Sequence, residues 1–343
     1  MHRRFDERPK SKTARPSPVA IPERRTKRIL WRNKMQREQN QSTQLPCQAR
    51  PTISLANRFS ALKHRLQGKP NVRPIGAYPS SIIDSQGCEF GYEMFYHVPY
   101  AYHLAKIGCL QRTVSCLGTE CFYFFSPDHH ERYDRRQFVK YMDSIAQQPH
   151  ESPDANRWEP PNFAVHYRNK IELNFPKPLL LVFNKYNIEW DHPPINFLSK
   201  PFLDRVVQKA SDRFSIVYLR PTSHIVHDHM PVGNLNEKEQ LREQGVVLAE
   251  ELYENYRHIS FNEFQLCLLA NSQHRISVQG GAAYMNALFP GQLMLLHRYG
   301  GEQLHGNYVD FPRMGVTDFT VHNNEFDMLD RLDYFKCSAR NAA

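Results

Sequence analysis

Length, composition and charge exclude several classes of protein. The chain has 343 residues, of which 41% are hydrophobic and 12% aromatic, which is enough for one large or two medium domains with a real core. Its seven cysteines include no C-x-x-C pair, so the sequence indicates neither a zinc site nor a disulfide framework. There is no apolar run of about 18 residues and no secretory hydrophobic segment near Met1, so we expect a protein that is cytoplasmic or peripheral to a membrane, without a transmembrane segment.

The net charge of +9 is distributed unevenly along the chain. Residues 1–75 contain 19 Lys and Arg against four acidic residues, whereas residues 76–343 contain 25 basic and 31 acidic residues. The basic segment has little periodic apolar pattern, so we predict a disordered tail over residues 1–70. Four interpretations of it stay open: a polybasic contact with nucleic acid or anionic lipid, an Arg-rich organelle-targeting sequence, sequence upstream of the true start site, or a solvated linker.

Strand and helix patterns alternate after the tail. In the first half we predict a strand at 75–83, a helix at 88–104 that is broken at Pro99, and strands at 113–116 and 121–125. Residues 128–170 are polar and charged, so we predict that they form a surface loop. The continuous apolar run 179–183 is typical of a strand that is buried on both faces.

The second half continues the alternation. We predict strands at 214–219, 245–248, 276–278 and 293–296, and helices at 201–210, 237–242, 250–256, after Phe261 and at 282–288. Such alternation favours parallel sheets with helices on both faces. The alternation predicts two sheets that meet near residues 190–200, so we predict one domain over 71–195, a second over 196–343 and a ligand cleft between them.

The loop at the end of the 276–278 strand is the most informative part of the chain. Gly280 and Gly281 lack a Cβ atom, so this turn can adopt positive φ and let backbone N–H groups approach a ligand closely. The helix predicted at 282–288 would present its amino terminus to an anion such as a diphosphate. The alternative is a structural turn that binds nothing.

Arg220 directly follows the predicted strand at 214–219 and precedes Pro221, which directs the chain out of helical geometry. The carboxyl ends of parallel strands share one edge of a sheet, so we expect Arg220 on the same edge as Gly280. A guanidinium is permanently charged and binds phosphate oxygens bidentately. The alternative is a surface or salt-bridged arginine.

Five segments together resemble a known family: residues 90–94, 99–102, 184–190, 218–221 and, above all, 276–281. They are similar to a group of glycosyltransferase-like proteins. The last two segments are also distantly similar to the donor-binding half of GT-B enzymes such as fucosyltransferases. The likeness covers about residues 75–315. It implies an α/β fold with two Rossmann-like domains that face each other across a cleft.

The resemblance also implies an activity. A sugar would move from a nucleoside-diphosphate donor to a hydroxyl of a glycan or another acceptor, with the nucleotide sugar as co-substrate and with no cofactor. Arg220 would neutralise the leaving diphosphate. The other residues expected to bind the donor are Asn262, Gln265, Ser277, Gln279, Gly280 and Gly281.

An inverting transfer needs a base for the acceptor hydroxyl, and carboxylates are common candidates. We selected Glu89, Glu93 and Asp228 as candidates. Glu89 and Glu93 lie four residues apart, so on a helix they would share a face, and a capping or solvent-facing role is the alternative for both.

The sequence departs from the family pattern in two ways. Pro221 stands where fucosyltransferases with an arginine pair carry a second basic residue. The paired-acid Asp-x-Asp signature of metal-dependent sugar transferases is absent, so we predict a metal-independent reaction. Two other functions stay open: a non-enzymatic module that binds nucleic acid or another polyanion through its tail, and a zinc hydrolase that uses His224, His227, His229 and Asp228.

Overall fold

The computed structural model describes residues 81–136, 158–189, 192–225, 231–303 and 306–335. The predicted tail over residues 1–70 and most of the predicted strand at 75–83 lie outside these residues. Residues 73–343 form one compact unit. Within the described part of the chain, no helix is both long enough and apolar enough to cross a membrane.

The first of two parallel sheets has three strands in the order β1-β2-β3. These are β1 (Ser81–Asp84), β2 (Leu110–Cys116) and β3 (His129–Tyr133). A continuous helical segment connects β1 to β2, and it consists of α1 (Phe90–Tyr92), a π-helix (Glu93–His97) and α2 (Val98–Lys106). A 3₁₀-helix (Glu120–Tyr123) follows β2, and α3 (Phe163–Tyr167) precedes the second sheet.

Three predictions for this half are wrong. The helix is not broken at Pro99, because the carbonyl oxygen of Phe95, four residues earlier, accepts the indole N–H of Trp158 at 2.6 Å in place of the backbone N–H that proline lacks. Residues 120–123 form a 3₁₀-helix instead of a strand, since a short buried apolar run such as Cys121 to Tyr123 fits either structure. The predicted loop at 128–170 contains β3 and α3; β3 is a half-buried edge strand, which explains its polar sequence.

The second sheet has six parallel strands in the order β6-β5-β4-β7-β8-β9. Counted within this sheet, the order is third, second, first, fourth, fifth and sixth, which is that of a doubly wound Rossmann sheet. The strands are β4 (Leu179–Phe183), β5 (Ser215–Leu219), β6 (Val247–Leu248), β7 (His274–Val278), β8 (Gln292–Leu296) and β9 (Asp318–His322).

Helices cover both faces of this sheet, as the alternation predicts. They are α4 (Lys200–Ala210), α5 (Lys238–Glu243), α6 (Ala249–Tyr253), α7 (Phe261–Ala270), α8 (Gly281–Ala287), α9 (Phe311–Met314) and α10 (Glu325–Leu332), with 3₁₀-helices at Glu254–Tyr256 and Asn307–Asp310. Ser199, Ser260 and Asn324 each accept a backbone N–H at a helix start, which fixes where α4, α7 and α10 begin.

The alternation of side chains along β4 divides the core into two clusters. Leu180 and Val182 pack with α4 and α10 on one face, and Leu181 and Phe183 pack with α7 and α8 on the other. The second cluster also contains residues of the first sheet and its helices, such as Ile83. The two sheets therefore share one continuous core.

The predicted domain boundary between residues 195 and 196 does not match the sheets. β4 ends at residue 183, before that boundary, yet it pairs with β5 on one side and β7 on the other. A division at 195/196 would separate β4 from its own sheet. The second sheet therefore begins at residue 179. The prediction of a mixed α/β fold with parallel sheets is confirmed.

Candidate functional site

A cavity of about 270 Å³ lies at the carboxyl edge of the six-stranded sheet. Segments after three of its strands line the cavity: residues 183–189 after β4, 219–221 after β5 and 278–282 after β7. Residues 89–92, which follow β1 of the first sheet, form another part of the wall. The carboxyl ends of strands from both sheets therefore meet at one site.

The sheet order explains why a cavity forms here. β4 and β7 are adjacent, but the chain leaves β4 toward α4 on one face and leaves β7 toward α8 on the other. The loops after the two strands therefore diverge and leave a crevice. Such a switch point is where open α/β sheets bind their ligands.

Gly280 and Gly281 lie at this switch point, but they serve different purposes. Gly280 has φ of 121°, and a Cβ atom there would lie 2.9 Å from Nζ of Lys185. A Cβ atom on Gly281 would lie 2.6 Å from Cδ1 of Phe90. Gly281 therefore permits close packing of α8 on α1, whereas Gly280 provides the positive φ and the room for Lys185.

Arg220 lines the cavity, and it forms an internal ion pair. Its Nη1 donates to both carboxylate oxygens of Glu237, at 3.0 and 3.2 Å, and its Nη2 donates to the carbonyl oxygen of Gly233 at 2.8 Å. The hydroxyl of Tyr218 donates to the same carboxylate at 2.9 Å. Both partners of the pair are almost fully buried, so most of the hydrogen-bonding capacity of Arg220 is already used.

Lys185 is the centre of a second polar group on the cavity wall. Its Nζ donates to Glu189, and it donates to Oε1 of Gln279 at 2.9 Å. Nε2 of Gln279 in turn donates to Glu302. Lys185, Glu189, Gln279 and Glu302 all line the cavity, so this chain of hydrogen bonds joins the loops after β4 and β7.

Asn262 and Gln265 line the cavity from the first turns of α7. Nδ2 of Asn262 donates to the carbonyl oxygen of Gly118, just after β2, at 2.8 Å. Nε2 of Gln265 donates to Oδ1 of Asn262 at 3.2 Å. Asn262 therefore connects the two sheets at the site, and Gln265 holds it in place.

Ser277 does not reach the cavity. It lies inside β7 with no exposed surface, and its hydroxyl donates to the carbonyl oxygen of Val278 at 3.3 Å. Alternation along a strand directs its side chain into the core, so within β7 only the last residue, Val278, lines the cavity.

Glu89 and Glu93 do not share a face. Glu89 lies on the cavity wall at the start of α1, but Glu93 is fully buried behind it. Glu93 is 2.5 Å from Nη2 of Arg136 and accepts the hydroxyl of Tyr123 at 2.8 Å. Burial alone would raise the pKa of Glu93, but Arg136 and Tyr123 together hold it below its ordinary value. Glu93 is therefore a structural anion, and of the two only Glu89 faces the cavity.

The third candidate base, Asp228, lies outside the described residues, as do His227 and His229. His224 is described, and its ring packs against the rings of Tyr253 and Phe261. Among the described residues, no group of three His, Cys, Asp or Glu side chains is arranged to hold a metal ion.

Sequence reasoning missed several cavity residues, of which Lys185, Glu189, Arg136 and Glu302 are charged. Arg220 was selected because residues that directly follow parallel strands share one edge of the sheet. The same reasoning applies to Lys185, which lies two residues beyond the most apolar strand of the chain. Glu302 and Arg136 come from loops whose positions no local pattern indicates.

We compared the chain with known proteins. No protein-family model, no curated protein and no solved structure matches it.

Proposed function

We propose that this protein is a glycosyltransferase that moves a sugar from a nucleoside-diphosphate donor to an acceptor hydroxyl without a metal ion. One observation carries the proposal: a cavity with six charged side chains on its wall lies at the switch point of a six-stranded Rossmann-type sheet, and a second parallel sheet forms part of that wall. Nucleotides bind at this place in such sheets, with their phosphates next to the loops after the first and fourth strands.

The composition of the cavity supports a donor of this kind. Apolar walls from Phe183, Val278 and Tyr284 suit a base or a sugar ring, and the polar chain centred on Lys185 suits phosphates and hydroxyls. The volume of about 270 Å³ is slightly below the range of about 300–1,000 Å³ that is usual for ligand pockets.

We further propose that the two sheets form the two halves of a GT-B-like enzyme. The six-stranded sheet would bind the nucleotide, and the first sheet would bring the acceptor through the wall at residues 89–92. Glu89 is then the candidate base, because it is the predicted carboxylate that lies on this wall.

Nucleotide binding tests the proposal directly. The full chain would be titrated with ADP, GDP, CDP, UDP and TDP in the presence of a chelator, by calorimetry and by thermal unfolding. We expect one diphosphate to bind with a Kd between about 1 μM and 1 mM, the range of typical enzyme substrates. Gln279→Ala should weaken that binding by about 3- to 10-fold.

A matched control is Gln240→Ala, since Gln240 also forms a side-chain hydrogen bond, to Asp204, but lies outside the cavity. It should leave the affinity unchanged. The nucleotide sugar with the preferred base would then be incubated with the protein, and release of the diphosphate to water or to an acceptor would establish transferase chemistry. A folded chain that binds none of the five diphosphates would refute the proposal.

The charge of residues 1–75 favours one alternative, in which the protein is a non-enzymatic module that binds nucleic acid or another polyanion. That binding would fall steeply with salt, because it depends on counterion release. It would also be insensitive to Gln279→Ala, so the same variant separates the two functions.

A further inference from the structure

Three cations line the cavity, and each is paired with a carboxylate. Arg136 pairs with Glu93, Lys185 with Glu189, and Arg220 with Glu237. These three pairs cancel in charge, and Glu89 and Glu302 add two further carboxylates to the wall. A cation of this wall can pair fully with a diphosphate only if it first separates from its own carboxylate.

The pairs differ in how easily they can open. Glu93 and Glu237 are 0% and 2% exposed and lie behind the cavity wall, and each accepts a tyrosine hydroxyl as well. Separating either pair would leave a carboxylate buried without its cation, which is costly. The arginines of these two pairs therefore remain where they are.

The Lys185–Glu189 pair is different in two respects. Its side chains are 11% and 15% exposed, and both residues line the cavity, so either can face a ligand or water after separation. Lysine carries its charge on a flexible stem with rotatable donors, whereas the planar guanidinium of arginine is fixed by its fork of hydrogen bonds. Of the three pairs, this one can exchange its anion.

We propose that Lys185 is the cation that binds the phosphates of the ligand, and that Glu189 is the internal carboxylate which those phosphates displace from it. This inference rests on the proposed function, because it takes the ligand to be a nucleoside diphosphate. Gln279 keeps the Lys185 ammonium at the switch point through its 2.9 Å hydrogen bond, and Gly280 leaves the space that the ammonium occupies.

The proposal predicts that removing the cation and removing the carboxylate of this pair change the affinity for a diphosphate in opposite directions. Lys185→Met removes the cation and should weaken diphosphate binding by about 10- to 100-fold, the usual effect of losing a charged hydrogen bond. Glu189→Gln removes the competing anion while keeping the shape of the side chain, so it should tighten binding by about 3- to 10-fold. Lys185→Arg keeps the charge and should restore part of the affinity.

Calorimetric titration of the full chain tests this, with the nucleoside diphosphate that binds the wild type and with inorganic diphosphate as a phosphate-only probe. Lys238 and Glu250 form a matched Lys–Glu pair outside the cavity. Lys238→Met and Glu250→Gln should therefore leave both affinities unchanged. Thermal unfolding without ligand would show that each variant is folded.

Three outcomes are informative. Weaker binding by Lys185→Met with tighter binding by Glu189→Gln supports the exchange. Binding by the wild type that Lys185→Met leaves unchanged, or that Glu189→Gln weakens, overturns the inference but leaves the proposed function standing. If no nucleoside diphosphate binds the folded wild type, the proposed function fails and the inference fails with it.

Discussion

The two edges of the six-stranded sheet each contain a cavity, and the two cavities differ in how many charged side chains line them. The cavity at the amino edge has the larger volume, about 510 Å³, and Lys177 is the one Lys, Arg, Asp or Glu among its described lining residues. The cavity at the carboxyl edge is about 270 Å³ and has six such residues on its wall. Converging polar groups, and not volume, distinguish the candidate site.

Two buried arginines show the same contrast. Arg275, at the amino end of β7, donates to the carbonyl oxygens of Ser272, Phe289 and Pro290, and no carboxylate of the described residues forms an ion pair with it. Burial lowers its pKa to about 9, which still leaves it charged at neutral pH. Arg220, at the carboxyl end of β5, lies on a cavity wall and pairs with the carboxylate of Glu237 behind that wall. Arg275 thus stabilises the backbone, and Arg220 shapes the site.

Replacement of Arg220 should have the largest effect on stability. Arg220→Ala leaves Glu237 buried without its cation, so we expect the free energy of unfolding in urea to fall by about 3–5 kcal/mol. The double variant Arg220→Met with Glu237→Gln should recover part of that loss, because no charge then remains unpaired. A loss below about 1 kcal/mol in Arg220→Ala would show that the pair is not structural.

Replacement of Arg275 should cause the second largest loss of stability. Arg275→Met removes the donor of three backbone carbonyls, and we expect the free energy of unfolding to fall by about 2–4 kcal/mol, with unchanged affinity for the nucleoside diphosphate. Arg213 also donates to two backbone carbonyls but is only partly buried, so Arg213→Met should have a smaller effect. An altered nucleotide affinity in folded Arg275→Met would remove the contrast between the two edges.

Replacement of Gly280 at the switch point should reduce both stability and diphosphate binding. Gly280→Ala places a methyl group 2.9 Å from Nζ of Lys185 at φ of 121°, so we expect a loss of about 1–3 kcal/mol in stability together with weaker diphosphate binding. Gly245 also has positive φ, 81°, but has open space around it. Gly245→Ala should therefore cost only the backbone strain and leave binding intact, and equal effects on binding would contradict this account.

The smallest expected effect is a pH dependence of stability that arises from His97, the last residue of the π-helix between β1 and β2. Burial is the main cause that lowers the pKa of His97, whose ring nitrogen is 3.5 Å from the sulfur of Cys88. The unfolded chain therefore binds this proton at a higher pH than the folded chain does. The resulting stability is present above pH 6.5 and is lost as the pH falls toward the lower folded pKa, by at most about 1.4 kcal/mol per pH unit for one proton.

Urea unfolding at several pH values between 5 and 8 checks this prediction. His97→Phe should reduce the slope of stability against pH below 6.5, whereas the same change at the exposed His258 should not. Parallel slopes for wild type and His97→Phe would show that His97 takes no part in the pH dependence. Because His129, His297 and His322 also have a lowered pKa, some slope should remain in every variant.

Much of the fold could be predicted from local patterns. The apolar run of β4 and the alternation after it indicated a parallel sheet, and the rule that strand ends share an edge brought Arg220 and Gly280 to one cavity. β9 was missed, because its half-buried position at a sheet edge leaves it a mixed sequence. A strand of this kind is specified by its neighbours and not by its own periodicity.

The candidate site was less predictable, because its chemistry depends on pairs that are distant in sequence. Arg220 meets Glu237 from 17 residues away, and Lys185 meets Gln279 from 94 residues away. No local pattern indicates such partners. The sequence therefore predicted that Arg220 lies at the sheet edge, but it could not show that Glu237 already neutralises its charge. The separation of Glu89 from Glu93 was equally hard to predict, because Glu89 is the N-cap of α1 with an extended backbone and is not part of the helix.

Hydrogen–deuterium exchange with and without the bound nucleoside diphosphate tests the central claim most directly. If the ligand lies at the carboxyl edge, amide exchange should slow in residues 184–189 and 278–282, and it should stay unchanged in residues 174–177 and 244–247 beside the larger cavity. Protection confined to the amino edge, or to residues 1–75, would contradict the account.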